Sequence, residues 1–156
     1  MIFIAHRGLT EGPDKNLENN PETINYALSE GFEAEIDVWR KENKWFLGHD
    51  YPIYEISESF LTNKKLWIHC KNIDALQYLN RVNYSINYFW HDNDDYTLTS
   101  YGYIWVYPGK LVTPKSICVM PERIMDINFI HKIDCFGVCS DHVSIIRKNS
   151  IYEKNI

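Results

Sequence analysis

Short apolar runs that end in polar residues recur along the first half of the chain. The first run, Ile2–Ala5, is continuously apolar and stops at His6-Arg7-Gly8. The second run, residues 32–38, alternates, which places Glu35 and Asp37 on one face because successive side chains of an extended chain point to opposite sides. Both runs predict buried β-strands that end in polar groups.

A third run, residues 66–71, has the same form, and by the same parity its His69 and Lys71 share a face. Between the second and third runs, residues 45–50 predict a short returning strand that brings His49 back to the end of the second strand. Titratable side chains are therefore expected to gather at one edge of the sheet.

Helical signals lie between these strands. The segment Asn20-Pro21-Glu22-Thr23 predicts a helix start, with asparagine as the N-cap, proline in the first helical position and glutamate near the positive end of the helix dipole. Gly31 supplies the stop. A second helix is predicted to begin at Ile73 and to end near Val82.

The second half of the chain is more compressed. Apolar, β-rich runs lie at residues 87–90, 103–107, 116–120 and 136–139, and only residues 124–130 among them have helical spacing. These runs begin too close together for a packed helix to follow every strand. Helices are therefore expected to be replaced by loops or single turns in this half.

The repeated order of strand, helix and strand is typical of a parallel α/β sheet or barrel that carries its site at the carboxyl ends of the strands. We expect an α/β, TIM-barrel-like fold that is shortened and has few helices in its second half. One domain is predicted over residues 1–148, followed by a C-terminal tail over residues 149–156.

Composition narrows the partners and the compartment. The 156 residues carry a formal net charge of -5 and no basic run among aromatic residues, so no nucleic acid partner is expected. No stretch predicts stable membrane insertion or a signal peptide, which favours a cytoplasmic protein. Cys70, Cys118, Cys135 and Cys139 lack metal-ligand spacing and are expected to be small buried residues, with a zinc or redox site as the alternative.

Two kinds of chemistry are indicated by the polar residues. The carboxylates of Glu35 and Asp37 repel each other unless a cation lies between them, so they predict a site for one divalent cation, against the alternative of a solvated pair on an edge strand. His6 and His49 titrate near neutrality and suit proton transfer. For the acidic loop at residues 91–95, the simpler interpretation is a solvent-exposed surface loop without a functional role.

Six short segments carry the distinctive residues in a fixed order: His6-Arg7-Gly8, Pro21-Glu22-Thr23, Glu35-Ile36-Asp37-Val38, Gly48-His49-Asp50, Ile68-His69-Cys70-Lys71 and Gly137-Val138-Cys139-Ser140-Asp141. They resemble the motifs of the glycerophosphodiester phosphodiesterase family, one of the phospholipase-C-like phosphodiesterases built on a TIM barrel. The resemblance is concentrated in the first 50 residues.

The resemblance implies a hydrolase that acts on a phosphodiester, either a glycerophosphodiester or a related alcohol or sugar phosphodiester. In this family a neighbouring hydroxyl of the substrate usually attacks first and gives a cyclic phosphate. The implied roles are acid/base catalysis by His6 and His49, phosphate binding by Arg7 and Lys71, and binding of one divalent cation, Mg²⁺ or Ca²⁺, by Glu35 and Asp37. These residue types suit the reaction, which needs a base, an acid and positive charge near the phosphate oxygens.

Three features depart from the family pattern. His69 replaces a Glu metal ligand, which implies a softer metal, fewer protein ligands, or recruitment of Asp92 or Asp94. Pro21-Glu22-Thr23 resembles the family's four-residue P-E-N-T motif but lacks the Asn of that motif. A complete (β/α)8 barrel typically needs about 250 residues. We therefore expect either an abridged barrel or a barrel completed by a partner chain, with a homo-oligomer as one of the alternatives.

Three functions follow as alternatives. Metal-dependent hydrolysis of a small, water-soluble phosphodiester is the first, with His69 as a tentative third metal ligand. The missing Glu and the short second half leave open a non-catalytic phosphate-binding module on the same fold. A metal-independent lyase that stops at the cyclic phosphate is the third.

Overall fold

The computed structural model describes residues 1–82 and 85–153, which form ten β-strands and three α-helices. The strands are β1 Ile2–Ala5, β2 Glu33–Lys41, β3 Lys44–Leu47, β4 Tyr54–Ile56, β5 Leu66–Cys70, β6 Asn87–Phe89, β7 Tyr96–Leu98, β8 Ile104–Val106, β9 Ser116–Val119 and β10 Gly137–Ser140. The α-helices are α1 Pro21–Ser29, α2 Ile73–Arg81 and α3 Val143–Glu153, and short 3₁₀ helices lie at His6–Gly8, Glu58–Thr62, Pro121–Arg123 and Ile127–Lys132.

Seven of the strands run parallel to one another, in the order β6-β5-β2-β1-β10-β9-β8. Strand β7 is antiparallel to β8. Just after β7, the backbone N–H of Ser100 donates a hydrogen bond of 2.8 Å to the carbonyl oxygen of Tyr88 in β6. The hydroxyl of Thr97 in β7 donates to the carbonyl oxygen of Trp90 at 2.7 Å. The sheet therefore curls until its two ends meet.

A hairpin extends from the long second strand. Residues 38–41 of β2 pair antiparallel with β3, and the two turn residues, Glu42 and Asn43, have φ values of 52° and 63°. A two-residue turn of this hand matches the twist of the strands that it joins. The hairpin returns the chain to the middle of β2, where the backbone N–H of Gly48 donates to the carbonyl oxygen of Asp37.

Side chains alternate between an inner and an outer core. The inner core, enclosed by the curled sheet, contains large rings that contact one another, such as Phe89 and Trp105 with centroids 4.6 Å apart. The outer core of the first half lies between the sheet and helices α1 and α2, where Ile36 and Ile68 are fully buried. The enclosed space is therefore filled by side chains below the level of the strand ends.

Both predicted helices of the first half are confirmed. The Asn20 side chain caps α1 by accepting a hydrogen bond from the backbone N–H of Glu22, and the Asn72 side chain caps α2 by accepting one from Ala75. Between β6 and β10, strands β7, β8 and β9 are joined by loops and 3₁₀ helices, with no α-helix among the described residues. The helix predicted at residues 124–130 is the 3₁₀ helix Ile127–Lys132. The expected mixed α/β fold with few helices in its second half is thus confirmed at that level.

The predicted C-terminal tail over residues 149–156 needs correction, because α3 continues to Glu153; residues 154–156 lie outside the described part. Val143 and Ile146 are fully buried, and the guanidinium of Arg147 donates to the carbonyl oxygen of Glu30 at 2.8 Å. These contacts hold α3 against the sheet and against the end of α1. None of the helices that the structure describes has the length and apolar character needed to cross a membrane.

The cysteines have a structural role. Cys70, Cys118 and Cys139 are buried and Cys135 is half-buried, and all four are free thiols. Burial raises the pKa of Cys70 and of Cys118 to about 12, so both stay protonated at neutral pH. The prediction of small buried residues is confirmed for the three buried cysteines.

Candidate functional site

The seven predicted site residues all line one cavity of about 370 Å³ at the carboxyl ends of the parallel strands. They come from three neighbouring strands and from the loop that follows the hairpin strand β3: His6, Arg7, Glu35, Asp37, His49, His69 and Lys71. Residues that are 65 positions apart in the sequence, such as His6 and Lys71, therefore reach the same space because β1, β2 and β5 lie side by side.

His6 is oriented by a carboxylate from the far end of the chain. Its Nδ1 lies 2.8 Å from Oδ1 of Asp141, which follows β10, the parallel neighbour of β1. Burial acts to lower the pKa of His6, but the hydrogen bond to Asp141 and the charge of Glu35 outweigh it and raise the pKa above its ordinary value. With Nδ1 committed to Asp141, Nε2 is the ring nitrogen left for proton transfer.

His49 has a similar arrangement on a tight turn. Its Nδ1 lies 2.7 Å from Oδ1 of Asp50. Gly48 precedes it with a φ of 148°, and a Cβ atom at that position would lie 2.1 Å from the carbonyl oxygen of Tyr51, so the turn requires glycine. Two histidines that each rest Nδ1 on a carboxylate therefore line the same cavity.

Glu35 and Asp37 project together from β2 and are almost fully buried, with 3% and 1% of their surfaces exposed. Burial and the charge of Asp37 raise the pKa of Glu35. Burial also acts to raise the pKa of Asp37, but the hydrogen bond and charge of His69 and the charge of Lys71 outweigh it and lower that pKa. Asp37 is therefore the carboxylate that stays ionised.

His69 lies against this acidic pair. Its Nδ1 is 2.9 Å from Oδ1 of Asp37 and 3.8 Å from Oε1 of Glu35, while its Nε2 lies 2.8 Å from the carbonyl oxygen of His91. A carbonyl oxygen only accepts, so Nε2 carries a hydrogen and Nδ1 faces the carboxylates. The ring stacks on Phe89 with centroids 5.2 Å apart, which fixes its plane.

The donor set of Glu35, Asp37 and His69 fits a metal ion. One ligand atom from each residue lies within 4.8 Å of the other two. A metal-ligating histidine usually donates its other ring N–H to a carbonyl or carboxylate oxygen, as Nε2 of His69 does here toward His91. Asp92 also lines the cavity, whereas Asp94 is not part of its lining.

The two predicted phosphate-binding cations both lie beside the acidic pair. Lys71 Nζ is 3.5 Å from Oδ1 of Asp37. The Arg7 guanidinium donates to Glu18 at 2.7 Å and lies 3.3 Å from Oδ2 of Asp37, and the Arg7 backbone N–H donates to Glu35. The structure thus places Arg7 in the cavity with its charge already compensated by two carboxylates.

Asn19 is a site residue that the sequence reasoning missed. It is fully buried, its Nδ2 donates to Oδ2 of Asp37 at 2.9 Å, and its Oδ1 accepts from the backbone N–H of Asp37 at 2.8 Å. Its backbone N–H donates to the carbonyl oxygen of Arg7. Asn19 therefore orients the carboxylate of Asp37 and leaves Oδ1 toward His69.

Asp141, Asp50 and Glu18 were also left without a role at the sequence level. Asp50 and Asp141 close two of the quoted segments, which was a usable signal for both. Glu18 and Asn19 lie in a polar loop with no local pattern that singles them out.

Comparison of the chain with protein-family models, with curated proteins and with solved structures finds no match. The family membership that the six sequence segments imply therefore stays a prediction.

Proposed function

We propose that the chain is a phosphodiesterase that hydrolyses a small, water-soluble phosphodiester, such as a glycerophosphodiester or a related alcohol or sugar phosphodiester. The observation that carries the proposal is the pairing of two histidine–carboxylate dyads, His6–Asp141 and His49–Asp50, in the cavity that also contains the buried acidic pair. A curled parallel sheet with this cavity at its strand ends supports a shortened TIM-barrel-like fold of the phospholipase-C-like type.

The two dyads supply the two proton transfers that the reaction needs. An attacking hydroxyl must lose a proton, and the leaving alkoxide must gain one. In each dyad a carboxylate holds Nδ1, so the imidazole keeps one orientation and exchanges its proton through Nε2. His6 and His49 share the two transfers between them.

Positive charge near the phosphate comes from Lys71 and Arg7, which lie within 3.5 Å of the same carboxylate, that of Asp37. Glu35, Asp37 and His69 would hold one divalent cation, which would offset charge on the phosphate oxygens when bound. Mg²⁺ and Ca²⁺ suit the two carboxylates, and the nitrogen of His69 favours softer ions such as Mn²⁺ or Zn²⁺.

In the test, the protein is incubated with each member of a panel of phosphodiesters, and ³¹P NMR follows the substrate and its products. The assay is run first with metal removed by a chelator and then with Mg²⁺, Ca²⁺, Mn²⁺ or Zn²⁺ added back singly. We expect a phosphomonoester product that disappears on chelation and returns with at least one ion. A His6→Ala variant purified in parallel controls for a contaminating phosphodiesterase.

Other outcomes separate the alternatives. Activity that survives chelation and stops at a cyclic phosphate would favour the metal-independent lyase. Binding of a phosphodiester without any product under every metal condition would favour the non-catalytic phosphate-binding module. No turnover and no binding across the panel would contradict both the proposal and these alternatives.

A further inference from the structure

The cavity has two opposite walls. One wall, formed at the ends of β1, β2 and β5 and by the loop after β3, carries the seven residues discussed above. From β5, strand β9 is four neighbours away in either direction round the curled sheet, through β2, β1 and β10 or through β6, β7 and β8. The ends of β8 and β9 therefore form the wall facing Lys71, here called the far wall: Trp105, Tyr107, Pro108, Val119, Met120 and Arg123.

Arg123 differs from the other cations that line the cavity. Arg7 is compensated by Glu18 and Asp37, and Lys71 lies beside Asp37. The guanidinium of Arg123 forms no hydrogen bond or ion pair with any residue that the structure describes. Arg123 is exposed to solvent and lines the cavity. Without a carboxylate partner, its guanidinium is free to bind an anionic group on a ligand, with a bidentate geometry that suits carboxylate and phosphate.

The backbone below Arg123 is held in place by its surroundings. Met120 is buried and has a left-handed conformation, with a φ of 45°, which is uncommon for a non-glycine residue and persists only where neighbours enforce it. The Met120 N–H donates to the carbonyl oxygen of Cys139 at 2.7 Å, and the Arg123 N–H donates to that of Met120. The Ser140 hydroxyl donates to Oε1 of Glu122, which ties the turn to β10.

Apart from Arg123, the far wall is largely apolar. Met120, Val119 and the ring of Trp105 line this part of the cavity, and Trp105 and Met120 are buried. An anionic group seated at Arg123 would thus be separated from the scissile phosphate by a short apolar or neutral spacer. The scissile phosphate itself would lie at the opposite wall, beside Lys71.

We propose that Arg123 is a specificity-determining residue that binds a second anionic group of the substrate, so that the preferred phosphodiester carries a carboxylate or a phosphate at the end of one of its alcohol groups. This inference rests on the proposed function, because it takes the scissile phosphate to lie beside Lys71. It narrows the substrate class from phosphodiesters in general to those with a second negative charge.

The experiment uses three esters of glycerol phosphate that differ only in the second alcohol: ethyl, 2-carboxyethyl and 2-phosphonoethyl. The wild-type chain should prefer the two anionic esters, and their relative kcat/KM distinguishes carboxylate from phosphate as the natural group. Arg123→Gln should raise KM for the anionic esters about tenfold or more, leaving kcat and the ethyl ester little changed. Arg123→Lys should recover part of the loss because it keeps the charge.

Arg81→Gln is the matched control, since Arg81 is an exposed arginine at the end of α2, outside the cavity lining, and its loss changes the net charge equally. Equal effects of Arg123→Gln on all three esters, or none on the anionic ones, would overturn the inference.

Binding of the same esters, measured by calorimetry, separates this inference from the proposed function. Anion-dependent binding that is lost in Arg123→Gln, without turnover in the wild type, would sustain the role of Arg123 and contradict the phosphodiesterase proposal. If the wild type turns over the esters but Arg123→Gln leaves their binding unchanged, the phosphodiesterase proposal is sustained and the role of Arg123 is contradicted. If none of the esters binds, both proposals fail.

Discussion

The two walls of the cavity are built in different ways. The wall at β1, β2 and β5 is backed by α1 and α2 through a continuous outer core, and most of its functional side chains come from the strands themselves or from the residue that directly follows a strand. The far wall is carried by the ends of β8 and β9 and by the segments that follow them, and among the described residues no α-helix connects β8 to β9 or β9 to β10. Behind β9, the 3₁₀ helix Ile127–Lys132 packs together with Ile146 of α3. Under the proposed function, chemistry that needs fixed geometry would lie on the helix-backed half, and substrate selection on turns that tolerate change.

The largest effect is expected from removing either dyad histidine, which tests whether catalysis depends on the helix-backed wall and not on the far wall. His6→Ala and His49→Ala should each lower kcat for a phosphodiester by about 10²–10⁴-fold, because one of two proton transfers loses its partner. Tyr107→Phe, on the far wall, is the matched control and should keep kcat. Stopped assays with circular dichroism spectra of each variant would check activity and folding together, and full activity in both histidine variants would refute the division.

Restoring a third carboxylate should change the metal preference of the helix-backed wall. His69→Glu adds an oxygen ligand and a negative charge beside Glu35 and Asp37, so it should bind Ca²⁺ or Mg²⁺ about tenfold or more tightly relative to Zn²⁺. His69→Gln is the control, since it adds no charge. Calorimetric titration with each ion measures the change, and an unaltered order of affinities would argue against metal binding by this group.

A substitution of Asn19 tests how much the helix-backed wall depends on the buried hydrogen bonds that support Asp37. Asn19→Ala removes both hydrogen bonds to Asp37 and should lower the free energy of unfolding by about 2–4 kcal/mol, because a buried backbone N–H loses its partner and a buried carboxylate loses one of its donors. Asn16→Ala, in the exposed part of the same loop, should cost little. Urea denaturation of both variants gives the comparison, which fails if the two losses are equal.

The smallest expected effect concerns the pKa of His6. In Asp141→Asn the hydrogen bond to a charged partner is lost and burial acts with less opposition, so the pKa of His6 should fall. Because the pKa of His6 is higher in the folded than in the unfolded chain, protonation of His6 stabilises the fold fully below the unfolded pKa of about 6.5. This stability is lost as the pH rises through the folded pKa, so the variant should lose that pH dependence. Titration of the His6 ring by NMR, with Asp50→Asn as control, measures the shift; an unchanged His6 titration would show that Asp141 does not set it.

The parts of the site that could be predicted depend on local rules. The shared face of Glu35 and Asp37, and that of His69 and Lys71, follow from the two-residue period of a strand, and the structure has both pairs in one cavity. The start of α1 follows from its cap residues. Such features require only the sequence within a few positions.

The parts that were missed depend on distant contacts or on weak local patterns. The His6–Asp141 hydrogen bond joins residues 135 positions apart. Among the side chains of α3 that the structure describes, only Val143 and Ile146 are fully buried. Ile145 and Ile151 are exposed, so no clear apolar stripe marks the helix. Strand β7 is three residues long and exposed at both ends.

The position of β1 between β2 and β10 has a consequence for when the proposed activity would appear during folding. β1 is synthesised more than 130 positions before its neighbour β10, with Ala5 in register with Ser140. Closing so long a loop is slow and must precede the contact that orients His6. A nascent or truncated chain that lacks β10 would contain both histidines and the acidic pair but not the dyad of His6, so regain of turnover on refolding should follow the last step of sheet closure.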